Sequence, residues 1–318
     1  MAKKYTNTGN KDTRSGFGAG LLEAGRKNPN IVALTADLLG SVKMDAFAKE
    51  FPERFFQCGI AEANMIGAAA GLAITGKVAF ASSFAEFVTG RVYDQIRQEV
   101  AYGHTNVKVC ASHAGITLGE DGATHQTMED IALMRALPNM VVINPCDYNQ
   151  CKAATLAIAE YEGPVYLRFG RPTMPNFTPE DQVFEIGKAI CLNEGSDVTI
   201  FATGHLVWEA VNAAELLEAE GISAEVIDIT TLKPLDVEAV VASAKKTGAV
   251  VCAEEHNMCG GLGELIAGVL AANAPTPIEY VNGADRFGQS GSPAELMKAY
   301  GLDAAHVAEA AKKAVTRK

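Results

Sequence analysis

Short continuous apolar runs alternate along the chain with longer stretches whose apolar positions recur every three or four residues. The runs IVALTAD (31–37), KVAFAS (77–82), VKVCAS (107–112), MVVINP (140–145) and PVYLRF (164–169) read as strands buried on both faces. Between them the periodicity predicts helices near 62–74, 85–101, 126–136 and 147–160. Gly59 and Ala61 precede the first, Pro138 closes the third, and Asp147 stands where it can cap the fourth. Apolar strands separated by helices predict a mostly parallel sheet covered on both faces, an α/β fold. After Phe169 the pattern stops. GRPTMPNFTPEDQ carries Pro172, Pro175 and Pro179 and no periodicity, which marks a domain boundary. A second, shorter series follows: VTIFATG (198–204), SAEVIDI (223–229), AVVCAEE (249–255) and TPIEYVN (276–282), with helices expected near 206–220, 236–246, 261–272 and 303–317. The expected organisation is two three-layer α/β domains, 1–175 and 196–318, joined by a linker at 176–195.

Composition narrows this picture. The chain has 318 residues, 48% of them hydrophobic, enough to bury two cores without a metal or disulfide staple. The seven cysteines are scattered and form no CxxC pair, so they read as reduced thiols. The opening MAKKYTNTGNKDTR has no apolar run of the secretory kind. Both features point to a cytoplasmic chain. No stretch is long and uncharged enough to span a membrane. Against 38 acidic residues stand 27 basic ones, a net charge of −11. That balance excludes a general nucleic-acid face but permits a local basic pocket.

Several local features carry chemistry. GFGAGL (16–21) has neither the spacing nor the preceding strand of a dinucleotide loop; its glycines fit a helix packed closely on a neighbour. GGLGEL (260–265) follows a strand and turns into a helix, where a phosphate or another backbone could approach. GEDGATHQ (119–126) is richer. It places Asp121 and His125 in a loop beyond the strand that ends near Ser112, and His113 leaves the same strand end. Loops at the carboxyl ends of parallel strands are where α/β folds bind ligands. Glu62 begins a helix whose other residues are apolar or small; helix polarity alone favours an acid there, and partial burial would suit it to proton transfer. Phe84 and Phe87 are three apart and could share a helix face. Arg14, Arg91, Arg97 and Arg168 are spread along the chain, and Arg168 ends a strand, a place suited to a substrate anion. No nucleophile elbow, zinc-protease, Walker or EF-hand motif is present.

Taken together, CGIAEANMIGAAAGLA (58–73), FASSFAEFVTGRVYDQIR (80–97), the long segment 112–147 with SHAGITLGEDGATHQ, and GPVYLRFGRP (163–172) resemble the second domain of transketolases. CAEEH and GGLGEL resemble that family's C-terminal domain. The resemblance spans nearly the whole chain and implies a pyrimidine-binding domain followed by the C-terminal domain, without the first domain of the family. It therefore implies a thiamine diphosphate enzyme whose Mg²⁺ and diphosphate are held by a separate N-terminal subunit, with active sites formed between chains in an α2β2 assembly. Asp121-Gly122 and Asn149 mimic the family's diphosphate motif in spacing, but Glu120 stands in place of its first glycine and Asn149 falls in a helix already capped by Asp147.

The resemblance also implies roles. Glu62 matches the glutamate that shares a proton with the aminopyrimidine ring and so prepares the thiazolium carbon for deprotonation. Phe87 matches the residue stacked on that ring, Phe84 lines the same pocket, and Asp37 lies beside the cofactor at the subunit interface. His125 and Asp121 match groups that bind the sugar hydroxyls of donor and intermediate, and His125 is expected, with Glu62, to be catalytic. Arg14, Ser41, His113 and Arg168 match the site for the sugar phosphate. Gly90 stands where the family often has a tyrosine. The implied activity is transfer of a two-carbon ketol unit from a ketose phosphate to an aldose phosphate. 1-Deoxyxylulose-5-phosphate synthases and the beta subunits of two-oxoacid dehydrogenases share the layout, but tend to lack His113 or the SH…GEDGATHQ combination. A non-catalytic partner subunit would need none of these side chains.

Overall fold

In the computed structural model, which describes residues 5–318, the first strands and helices alternate as β1 (Asn10–Asp12), α1 (Thr13–Lys27), β2 (Ile31–Thr35), α2 (Asp45–Glu50), β3 (Phe55–Gln57), α3 (Glu62–Ile74), β4 (Val78–Phe84), α4 (Ala85–Thr89) and α5 (Tyr93–Gln95). A π-helical stretch, Ile96–Tyr102, leads to β5 (Val107–Ser112), α6 (Asp130–Ala136), β6 (Val141–Ile143), α7 (Tyr148–Glu160), β7 (Val165–Arg168) and β8 (Thr173–Pro175). The second series runs β9 (Ile190–Asn193), β10 (Val198–Ala202), α8 (Leu206–Ala219), β11 (Ala224–Asp228), β12 (Thr231–Lys233), α9 (Val237–Thr247), β13 (Val250–Ala253), α10 (Leu262–Asn273), β14 (Ile278–Val281), α11 (Pro293–Ala299) and α12 (Ala304–Val315). The first four residues of the opening segment, read above for a secretory leader, lie outside the described residues.

Two sheets organise these elements. The larger has the order β12-β6-β7-β5-β4-β2-β3, the smaller β14-β13-β10-β11-β9, and β1 pairs with β8 separately. All pairs in the larger sheet are parallel except β12 with β6. The central strands β2, β4, β5 and β7 are buried along their whole length, as their unbroken apolar runs require. Because these strands run the same way, their carboxyl ends share one edge of the sheet, and the residues that follow them share one rim.

Besides the short elements β1, α2, β3, β8 and α11, which the periodicity did not show, four stretches depart from the sequence expectation, each for a physical reason. The helix expected over 85–101 is broken: α4 stops at Gly90, Val92 leaves the helical region with φ −122°, and the chain resumes in α5 and the π-helical turn. The helix expected from 126 begins only at Asp130, because Thr127 pairs with Gly115 in an antiparallel bridge. Ile190–Asn193, inside the stretch read as a linker, forms β9 and pairs antiparallel with β11 at the edge of the second sheet. Thr231–Lys233, from the second series, crosses over to extend the first sheet, and the Lys233 ammonium donates to the carbonyl of Arg135 at 3.0 Å. The two domains are therefore interlocked.

The glycines of α1 set its packing on α7. A Cβ at Gly16 would lie 2.4 Å from the Tyr148 carbonyl oxygen, and one at Gly20 2.7 Å from Thr155 Cβ. Opposite them Phe17 and Leu21 are fully buried, each contributing roughly 1.5–3 kcal/mol through apolar burial. Gly16→Val is expected to destabilise the chain by about 1–3 kcal/mol, because backbone rather than a flexible side chain occupies the space. A chemical-denaturation midpoint equal to that of the native chain would contradict this packing.

Candidate active site

Glu62 is the first residue of α3 and is only 4% exposed. Met65 and Ile66, both fully buried, anchor the helix beneath it. The helix has no side-chain N-cap at Ala61, so the carboxylate is the acid that meets its positive end. Arg91 Nη1 stands 3.4 and 3.3 Å from the two carboxylate oxygens. Charge-assisted bonds close to about 2.7–2.9 Å, so this engagement is loose. The same guanidinium lies 4.3 Å above the Phe87 ring, and half of the Arg91 side chain is in solvent.

A layer of rings extends from that point. Phe84, at the end of β4, stacks on His113 with centroids 3.8 Å apart and on Phe87 at 5.7 Å. His125 meets Phe87 edge-on at 5.2 Å. β4, α4, the end of β5 and the loop before α6 thus contribute one continuous wall. Asp37 (φ 59°), Lys43 (φ 61°) and His113 (φ 61°) all hold left-handed backbone conformations beyond the strand ends. Such conformations cost free energy in non-glycine residues and concentrate at functional sites. The Asp37 backbone N–H donates to Gln57 Oε1 at 2.6 Å, while its side chain is exposed.

His113 is buried, and its Nδ1 lies 2.7 Å from Ser112 Oγ. Burial, reinforced by the charges of Arg14, Arg171, His125 and Lys43, lowers its pKa from 6.5 to about 3. The ring is therefore neutral at pH 7 and faces an electropositive pocket as a polar group, not as a cation. Arg14 donates to the Ser41 carbonyl at 3.1 Å and pairs with Asp12 at 3.3 Å. Burial, then the charge of Arg171, lowers its pKa against the opposing pull of Asp12. Arg171 donates to the Leu118 carbonyl at 2.6 Å and to Glu120 at 2.9 Å. His125 is half-buried beside Thr124 Oγ1 at 2.9 Å, and Asp121 is exposed on the same loop.

One expected site residue is elsewhere. Arg168 does not join the anion pocket. It is 3% exposed, its Nε lies 2.7 Å from Asp130 Oδ2, and its Nη2 donates to the Glu255 carbonyl at 2.9 Å. Tyr166 donates to the same Asp130 oxygen at 2.6 Å. With its charge matched inside the protein, Arg168 ties the two domains together. Arg171, three residues on and just outside the strand, instead lies near His113 and Arg14, and Lys43 adds a further cation beside His113 that sequence reasoning missed. The available signal was the strand boundary: the last residue of a buried strand faces the interior, and ligand-binding side chains follow it.

The wall and the buried carboxylate fit a flat, uncharged, hydrogen-bonding ring such as an aminopyrimidine. They do not supply a diphosphate cradle. Asn149 gives its side-chain N–H to the Thr178 carbonyl at 2.6 Å and its backbone N–H to Asn176 Oδ1 at 3.1 Å, and both bonds are buried. Among the described residues, one cluster has metal-ligand spacing: Cys191, Glu194 and Glu225 in the second domain, where the Lys246 ammonium already bridges the two carboxylates. Among the same residues no helix is long and apolar enough to cross a membrane, and all seven cysteines are free.

Comparison with known proteins agrees with this geometry. Residues 10–176 match the transketolase pyrimidine-binding domain and residues 187–307 the transketolase C-terminal domain. The chain is 51% identical over 302 residues to a protein of Methanocaldococcus jannaschii described as a transketolase C-terminal section, covering 94% of this chain and 95% of that one. It is 46% identical over 298 residues to a 6-deoxy-6-sulfo-D-fructose transketolase subunit of a Clostridium species, covering 94% and 92%. Among solved structures, a split-gene transketolase, an inactive beta4 tetramer, superposes with a TM-score of 0.89 at 48% identity, covering 97% of this chain and 99% of that one.

Two outcomes are expected from this geometry. Because the folded pKa of His113 lies below its ordinary 6.5, the stability it contributes is complete above that value and falls away as pH drops toward about 3. Ring ¹⁵N shifts of His113 should accordingly stay those of a neutral imidazole between pH 8 and about 5, and a midpoint near 6.5 would contradict the burial described. Arg168→Ala strands Asp130 in the interior and is expected to cost about 3–5 kcal/mol of folding stability, measured by denaturant unfolding; a neutral result would return Arg168 to the list of free anion binders.

Proposed function

As the chain belongs to the transketolase family, in which it corresponds to the C-terminal section, we propose that it is the C-terminal subunit of a split thiamine diphosphate-dependent transketolase acting on phosphosugars. The observation that carries the reading is the single rim on which a buried carboxylate, an aromatic wall and a pocket of three cations converge. Thiamine diphosphate, when bound, supplies an acidic thiazolium carbon and an electron sink for the two-carbon unit. The rest belongs to this chain. Glu62, loosely held by Arg91, shares a proton with the pyrimidine ring nitrogen. Phe84 and Phe87 hold the ring against the wall and exclude water. Asp37 lies beside the cofactor at the junction with another chain. His125 and Asp121 hydrogen-bond the sugar hydroxyls, and His125 the oxygen on which charge develops during transfer; neutral His113 donates to the terminal oxyanion. Arg14 and Ser41 bind the terminal oxyanion, joined by Arg171 and Lys43 in place of Arg168.

The partner reading rests on a different surface. On α3 the residues Ala63, Asn64, Ala68 and Gly71 are exposed, and Ile60 and Ile74 at its two ends are 80% and 77% exposed. A helix that is apolar all round requires cover on every face. That uncovered face begins at Glu62, so a subunit seated on it would stand beside the cofactor site. We infer that this subunit is the N-terminal one, bringing the diphosphate-binding groups and Mg²⁺, in an α2β2 assembly in the cytoplasm. Pentose phosphates are the proposed substrates. The terminal anion pocket is also compatible with a sulfonate, as the name of the Clostridium relative suggests.

The test is ketol transfer by the chain reconstituted with a candidate N-terminal subunit, thiamine diphosphate and Mg²⁺. Glu62→Gln should assemble normally yet slow proton exchange at the thiazolium carbon by about 10²–10⁴-fold; an unchanged exchange rate in the assembled variant would refute the assignment. Arg171→Ala should raise KM for a phosphorylated donor by about 10–100-fold, the worth of a charge-assisted hydrogen bond, and leave the free ketose nearly unaffected. Equal losses for both donors would remove Arg171 from the anion pocket.

A further inference from the structure

The loop that presents Asp121 and His125 is closed at its neck. The Gly115 N–H donates to the Thr127 carbonyl at 2.9 Å, and the two residues form an isolated antiparallel bridge. Inside the loop, Gln126 Nε2 donates to the carbonyls of Ile116 at 2.9 Å and Gly119 at 3.2 Å, and at 3.0 Å to that of Gln289 in the second domain. The neck is gripped from the second domain as well. Glu255 is 3% exposed, and its Oε1 accepts the Thr117 N–H at 2.6 Å. Its other oxygen lies 3.4 Å from His205 Nδ1. Gly115 has φ +78°, and a Cβ there would fall 2.3 Å from Glu255 Oε1, so only glycine admits the carboxylate to this position.

Glu255 is also fixed from behind, since its carbonyl accepts the Arg168 guanidinium that pairs with Asp130 at the start of α6. Bonds to Thr117 and His205 and the nearby charge of Arg168 overcome the cost of burial and hold its pKa below the usual carboxylate value. It therefore grips the loop as an anion. None of these contacts is needed to build either sheet. All of them converge on the loop that carries the two sugar-binding candidates.

We propose that Glu255 is a positioning residue: acting across the domain boundary through the Thr117 N–H, it holds the Asp121–His125 loop in the geometry that receives the substrate. The inference deepens the reading of that loop as sugar-binding and rests on it. It gives the second domain a part in substrate binding.

The test has an arm that does not depend on catalysis. Amide hydrogen exchange of the whole chain should show lost protection at Thr117 and across 116–127 in Glu255→Ala, with protection of β2, β4 and β5 unchanged. In the reconstituted pair, KM for the ketose donor should rise by about tenfold or more, while thiamine diphosphate affinity and thiazolium proton exchange stay within about twofold. Glu255→Ala added to an Asp121→Ala/His125→Ala variant should lose little further, because it acts through those two contacts. Multiplying losses, an unchanged exchange pattern in the loop, or a loss of cofactor affinity equal to that of donor would each overturn the proposal. If Glu255→Ala does not fold, Glu255→Gln is read by the same measurements; its amide oxygen can still accept from Thr117, so partial protection and a smaller rise in KM are expected, and native values for both would overturn it. If the native pair shows no ketol transfer, the functional reading falls, while the exchange arm still decides whether Glu255 braces the loop.

Discussion

Glu62 is buried at the start of α3, yet its nearest cation stands 3.3 Å away and is itself half in solvent. A carboxylate withdrawn from water loses solvation that only good hydrogen bonds or a close counter-charge restore. Helix polarity supplies part of the compensation and Arg91 another part. The remainder is the capacity of this group to bind something that donates. The aromatic wall, the apolar outer face of α3 and the placement of the cation pocket all take their meaning from that incompletely satisfied carboxylate.

The geometry follows from strand direction. With β2, β4, β5 and β7 parallel, the residues after each carboxyl end are brought to one rim although they lie far apart in sequence. Three of the seven non-glycine residues with positive φ among the described residues lie on this rim. Asp37, Lys43 and His113 adopt left-handed backbone conformations that buried strands and close helix contacts hold in place. Among them His113 is kept neutral by burial and by three cations, within a chain whose net charge is −11. Local field, not overall charge, sets the chemistry of the pocket.

The domain boundary is more than a hinge between two sheets. β12 extends the first sheet from the second domain, and the chain of contacts from Asp130 through Arg168 to Glu255 crosses the same boundary inside the protein. Buried ionic contacts of this kind contribute specificity of arrangement more readily than stability. Here they connect the frame of the molecule to the loop that carries Asp121 and His125.

Much of this was legible in the chain itself. Unbroken apolar runs determined the parallel strands, since a strand covered on both faces has no polar face to alternate. The close packing of α1 was written in Gly16 and Gly20, and the burial of Glu62 in the small apolar residues around it. The family resemblance added the roles of Phe84, Phe87, His113, Asp121 and His125, which the fold then gathered on one rim. Other features were not readable. Arg168 looked like an anion binder because sequence does not show that Asp130 pairs with it inside the protein; the strand boundary hinted at Arg171, and nothing marked Lys43, which lies in the loop before α2. The pairing of β9 with β11, that of β12 with β6, and the grip of Glu255 on Thr117 join residues up to 138 positions apart. Periodicity reports what each segment must bury. Only the folded chain decides which distant partner buries it, because that choice depends on the distances and fields that exist once every element is in place.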